Sequence, residues 1–91
     1  MRKYIVEREI PNIGAADGNA IREVARKSNG IVEGLGGGIE WLESYITGDK
    51  VYCVYLARDE EIIRKHAEKG GFPANRIVEV RRMMDPTSAL A

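Results

Sequence analysis

The sequence predicts an α+β fold of the ferredoxin-like type: a four-stranded antiparallel sheet with two helices on one of its faces. Three observations predict it. Two segments space their apolar residues at helical steps, and four short runs are rich in β-branched and aromatic residues. Gly, Pro and Asn punctuate the segments, and the order they give is β-α-β-β-α-β. A split βαβ unit with right-handed crossovers folds into that sandwich.

Residues 3–10 (KYIVEREI) read as the first strand, ended by Pro11, which has no N–H for a ladder. Residues 14–18 are a loop, with Asp17 or Asn19 as helix cap. From 19 to 35 the apolar residues Ile21, Val24, Ala25, Ile31, Val32 and Leu35 line one stripe. Arg22, Glu23, Arg26, Lys27 and Glu33 take the other side. Gly30 and Gly34 each cost this helix about 1 kcal/mol relative to Ala, so an early end is expected. Gly36-Gly37-Gly38 stops it. The run GLGGG (34–38) is no nucleotide loop, because residue 39 is Ile and the chain passes here from helix to strand.

Residues 39–46 are the second strand and 51–57 the third. Gly48-Asp49 lies between them, where a short hairpin places a φ > 0 residue. Asp59 caps a second helix, 59–69, with Glu60 and Glu61 in the first turn and Gly70-Gly71 at the stop. Residues 72–75 are a loop, 76–83 the fourth strand, and 85–91 a short C-terminal tail to a single 91-residue domain.

Side chains alternate across a strand. One parity collects Tyr4, Val6, Leu42, Ser44, Ile46, Tyr52, Val54, Leu56, Val78 and Val80, nearly all apolar and expected under the helices. The other collects Glu7, Glu9, Trp41, Glu43, Tyr45, Cys53, Tyr55, Glu79 and Arg81. Ile5-Val6-Glu7 recurs as Ile77-Val78-Glu79, so Glu7 and Glu79 are expected on that mixed face. A face so aromatic is too apolar for water and too acidic for a dry core. A second copy laid over it makes a C₂ homodimer, a dimeric α/β barrel enclosing a cavity of Trp41, Glu43, Tyr45, Tyr55 and Arg81.

Composition narrows the function classes. Fourteen basic and fourteen acidic residues cancel, which argues against nucleic acid as a partner. No apolar run nears the ~18 residues of a membrane span, and no signal-peptide core follows Met1, so a cytoplasmic protein is expected. The single Cys cannot build an internal disulfide framework. A chain this short buries only about 60–65% of its unfolded surface, which favours association.

The candidate donors are few. Cys53 reads as a packed thiol, a nucleophile or a soft metal ligand. His66, at the margin of the second helix's stripe, reads as a helix-end imidazole or as a ligand for nickel or zinc. Glu7, Glu9, Glu43 and Glu79 read as ligands, as acid and base, or as partners of Arg81 and Arg8. Cys53 and His66, the two strongest donors, are expected on opposite sheet faces.

Four stretches carry a resemblance: EREIP, SYITGDKVYCVY, EEIIRKHAEKGGFPANR and the closing Asp-Pro-Thr. Through Glu7-Arg8, Tyr52-Cys53-Val54-Tyr55, and His66-Ala67 followed by Gly71-Phe72-Pro73, the chain resembles a family of small bacterial domains of unknown function. One branch of that family is known as a nickel-binding protein. The likeness covers residues 4–87 and implies a ferredoxin-like homodimer, with nickel bound in that branch; it does not imply a catalysed reaction. Chemistry, rather than the resemblance, nominates Cys53, His66, Glu7 and Glu79 as metal ligands. Three readings follow: a nickel-type metal-binding homodimer, a dimeric-barrel isomerase or cofactor-free oxygenase holding a small aromatic or lactone ligand, or a structural or regulatory module whose mixed face serves only dimerisation.

Overall fold

Two strands form the centre of the sheet, β1 (Arg2–Glu9) and β3 (Lys50–Ala57), paired antiparallel along their whole length. A computed structural model describes residues 1–90 of the chain. Outside the central pair lie β2 (Ile39–Ile46), against β3, and β4 (Arg76–Glu79), against β1. The order β2-β3-β1-β4, with helices α1 (Gly18–Gly34) and α2 (Glu60–Gly70) in the crossovers, is the expected ferredoxin-like arrangement.

Local chemistry sets the boundaries. Asp17 caps α1 by accepting from the Ala20 amide at 2.9 Å, and Asp59 caps α2 by accepting from the Ile62 amide at 3.0 Å. Although Gly30 and Gly34 weaken its last turns, α1 runs through both of them to the end of the apolar stripe. Ile31, Val32 and Leu35 are half-buried there, and packing outweighs a propensity cost of about 1 kcal/mol per glycine. Gly36, Gly37 and Gly38 then take φ of 74°, 114° and 83°, which side-chain-bearing residues rarely adopt. The hairpin turn closes through the Thr47 amide donating to the Lys50 carbonyl at 2.8 Å. Gly48 does not carry the expected positive φ; Asn12, whose amide donates to the Asp49 carboxylate at 2.8 Å, has φ 63°.

β4 stops at Glu79 instead of reaching 83. Its register sets Tyr4 against Glu79, and the Val80 amide still reaches the Lys3 carbonyl at 2.8 Å. Only Arg2 of β1 remains beyond that point, so residues 82 and 83 have no strand to pair with. The tail closes in one 3₁₀ turn, Pro86–Leu90.

The faces differ from the expected ones. Val6 stands against Cys53 in one pairing and against Ile77 in the other, so even positions of β1 share a face with odd positions of β3 and β4. In β2 an irregularity between Trp41 and Glu43 switches the parity partway along the strand. The helix-covered core therefore holds Tyr4, Val6, Ile39, Val51, Cys53, Tyr55 and Ala57, packed on Ile62 and Ile63 of α2. The uncovered face carries Ile5, Glu7, Tyr52, Val54, Leu56 and Val78. Parity within single strands cannot fix a sheet face; the register between strands does.

Candidate functional site

Five polar side chains, Arg8, Ser28, Cys53, Tyr55 and His66, meet inside the helix-covered core. β1 alternates inward as Tyr4, Val6, Arg8, and the third of these buries a guanidinium that is only 3% exposed. Arg8 donates to the Pro73 carbonyl at 2.6 Å and to the Tyr55 hydroxyl at 3.0 Å. No carboxylate lies within ion-pairing distance of it among the described residues. Its acidic neighbours are the Tyr55 hydroxyl and the Cys53 thiol, both presented by β3.

His66 enters from α2 and is 1% exposed. Its Nε2 lies 3.0 Å from the hydroxyl of Ser28, the one fully buried side chain of α1. Its Nδ1 is buried without any hydrogen-bond partner. The ring packs edge-on against Tyr55 at 5.5 Å and tilted against Phe72 at 5.6 Å. The end of α2 fixes Phe72: Gly71 turns left-handed at φ 67°, and the Phe72 amide returns to the Ala67 carbonyl at 2.9 Å. The Phe72 ring then lies against Gly70, where a Cβ would collide with it, and under the Arg8 guanidinium at 5.5 Å.

This environment sets the charge states. Burial, reinforced by the Arg8 cation, pushes the His66 pKa down to about 4, so the imidazole is neutral at pH 7. Burial, with the Cys53 thiol beside it, pushes the Tyr55 hydroxyl up to about 12 despite Arg8, so it remains protonated. A neutral imidazole with one open nitrogen can accept a hydrogen bond or bind a metal.

The nominated residues divide. Cys53 and His66 lie on the same side of the sheet, contrary to the opposite faces expected of them. The register between strands sets Cys53 on the helix-covered side, where both residues can face one site. Glu7 and Glu79 separate: Glu7 stands on the uncovered face, while Glu79 sits across from Tyr4 at the rim, 3.7 Å from Arg2. Glu7 pairs with Lys50 at 2.8 Å, which holds its carboxyl below the ordinary range. Of the expected cavity set, Tyr55 is in the core, and Trp41 is half-buried on the helix side with its indole N–H donating to Ser44 at 2.9 Å. Glu43 and Tyr45 stand exposed on the uncovered side of β2, and Arg81 lies exposed beyond β4.

Two residues of the cluster escaped the sequence reading as members of a site. Arg8 continues the Tyr4–Val6 alternation, and a cation at a core position was the signal. Ser28 falls on the α1 stripe, three residues after Ala25 and four before Val32.

The uncovered face has a hollow of about 320 Å³ lined by Ile5, Glu7, Tyr52, Arg76 and Val78. A second groove, about 730 Å³ between residues 12–16, Ile21 and the 46–48 hairpin, is lined by no ionisable side chain. No group of three or more His, Cys, Asp or Glu residues converges among the described residues.

Comparison with known proteins adds a family and a fold. The pattern of a family described as "Nickel responsive protein SCO4226-like" matches residues 4–80. The crystal structure of SCO4226 from Streptomyces coelicolor A3(2) is similar with a TM-score of 0.76 at 12% identity, over 90% of this chain and 99% of that one. At that identity the likeness speaks for the fold alone. No curated protein matches the sequence.

Proposed function

We propose that this chain, which belongs to the SCO4226-like family of nickel-responsive proteins, is a metal-binding homodimer for nickel or a similar divalent ion. The observation that carries the reading is the buried, neutral His66 with its unpartnered Nδ1. A ligating imidazole must be uncharged, and its other nitrogen is commonly held by a hydrogen bond, the place Ser28 takes here.

The donor set fits the ion in kind. Imidazole nitrogen and thiolate sulfur suit borderline and soft metals, and His66 and Cys53 are the residues that would hold it. In number the set falls short, since one chain supplies two such donors where metals of this class take four or more. Arg8 sets a further condition. A second cation beside the guanidinium is tolerated only if Cys53 ionises on loading, so binding releases a proton and tightens as pH rises. Glu7 and Glu79, held by Lys50 and Arg2, remain secondary nominees.

The dimer rests on the uncovered face. Ile5, Tyr52, Val54 and Leu56 are half-buried there, and Val78 is exposed, an apolar surface with nothing of its own chain over it. The reading is tested by calorimetric titration of tag-free, metal-stripped protein with Ni²⁺ and Zn²⁺, beside its mass in solution. Saturable Ni²⁺ binding, abolished in His66→Ala and weakened at least tenfold in Cys53→Ser with the dimer intact, is expected. An intact dimer that takes up neither ion sinks it. The hollow of Glu7, Tyr52 and Arg76 favours the second reading, a small organic ligand or substrate in the barrel. A ligand carried through purification and released on denaturation would support that one.

A further inference from the structure

The C-terminal ten described residues, 81–90, lie beyond the family's matched segment and beyond the end of the β1–β4 ladder. Their hydrogen bonds are internal: the Asp85 carboxylate accepts from the Thr87 amide at 2.9 Å, and the Ser88 hydroxyl accepts from the Asp85 amide at 3.1 Å. The segment is thus a short ordered arm that bonds to itself. It also displays apolar side chains, with Met83 66%, Met84 84% and Leu90 87% exposed. Large apolar residues gathered on ten residues of chain mark a contact surface.

We infer that this arm docks at the start of the outer strand β2 of a second copy, Arg81 and Arg82 facing the partner's Glu40 and Met83 and Met84 passing over that end of the partner's sheet. The inference rests on the homodimer of the preceding section and specifies how its two sheets are laid together. Two identical sheets stacked face to face with their strands aligned are related by a two-fold axis that runs either along the strands or across them. Along the strands, β4 lies over the partner's β2. Across them, β4 lies over β4 and β2 over β2.

Charge chooses between these. β4 and the arm carry Arg76, Arg81 and Arg82, while β2 carries Glu40 and Glu43 on its uncovered side. The first arrangement sets arginines over glutamates; the second sets like charges together, which is unfavourable at an interface. Register supports the first as well. The Val80 amide bonds at the level of Lys3, Lys3 pairs with Leu56, and Leu56 pairs with Glu40. An axis along the strands preserves level, so Arg81 and Arg82 emerge beside the partner's Glu40.

The test is the dimer dissociation constant by sedimentation equilibrium, for the full chain, a truncation after residue 80, R81E/R82E, E40R/E43R, and the fourfold charge swap. Truncation and either charge reversal are expected to weaken the dimer at least tenfold, and the fourfold swap to restore it to within about threefold. The full chain's dimer should also weaken with salt. A truncated chain that dimerises as tightly as the full one overturns the arm while leaving the dimer standing. If truncation impairs folding, the full-length charge variants decide, and a swap that fails to restore association overturns it equally. A full chain that stays monomeric sinks the homodimer itself, and the arm with it.

Discussion

The two faces of the sheet have exchanged the characters usually given to inside and outside. The helix-covered face holds a guanidinium, an imidazole, a thiol and a phenol, with Arg8 3% and His66 1% exposed. The uncovered face offers Ile5, Val54, Leu56 and Val78. A charge kept in the core without a carboxylate is costly to hold, since a hydrophobic residue of similar volume is often as stable or more so. An apolar face without a cover is equally unlike a free surface. The difference is what the proposed reading rests on: the polar groups inside are assigned to metal binding, and the apolar groups outside to association of two copies.

Substitutions at adjacent positions of β1 test that division most severely. Arg8→Ala opens a cavity and leaves the Pro73 carbonyl and the Tyr55 hydroxyl short of a donor, and a loss of about 3 kcal/mol or more is expected. Arg8→Met keeps most of the volume and removes the buried charge but supplies no donor to those two groups, so its loss should fall between that of Arg8→Ala and zero. Ile5→Ala, on the other face, is expected to cost about 1 kcal/mol in the dilute monomer while weakening the dimer more. Urea unfolding at low and high protein concentration separates these effects. Equal losses for Arg8→Ala and Ile5→Ala in the dilute protein would break the comparison.

The next effect belongs to acid. The His66 pKa is about 4 in the fold against an ordinary 6.5, so between those values the unfolded chain binds the extra proton. Stability should rise with pH across that window and be lost as pH falls through it, by up to about 3 kcal/mol at its lower end. His66→Phe keeps a ring between Tyr55 and Phe72 and removes the titration, so its stability should be flatter across the window. A parent chain as stable at pH 4.5 as at pH 7 would show that water or a rearrangement already solvates the imidazole.

Element types were legible because short-range chemistry specifies them. Asp17 and Asp59 cap the helices they precede, and Gly71 takes the left-handed turn that ends α2. Sheet faces were not legible in the same way. β3 reads Val51-Tyr52-Cys53-Val54-Tyr55-Leu56, apolar on both parities, so its own sequence cannot say which side is covered. Only the pairing of Val6 with Cys53, a contact between residues 47 apart, decides it. That long-range pairing brought Cys53 and His66 to one side and sent Glu7 and Glu79 to different ones. The site followed the register, while the fold followed the local signals.

The smallest expected effect sharpens the comparison from the other direction. Lys50 and Glu7 form the closest ion pair on the uncovered face, 2.8 Å apart with both side chains partly in solvent, and Tyr52 lies 3.5 Å from the same carboxylate oxygen. Exposed pairs of this kind are worth about 0–1 kcal/mol, because water screens them and both side chains lose freedom in holding them. Lys50→Met should therefore barely move the stability of the dilute monomer. The Glu7 carboxyl, held down chiefly by the Lys50 hydrogen bond, should at the same time return toward its ordinary range, visible as a rise in its NMR titration midpoint. In the proposed dimer the pair would be enclosed, and a carboxylate left without its ammonium in a covered hollow would weaken association more than its surface value suggests. A substitution silent in the monomer and costly in the dimer locates the interface on this face. One that is silent in both moves the interface elsewhere and leaves the apolar face needing another cover.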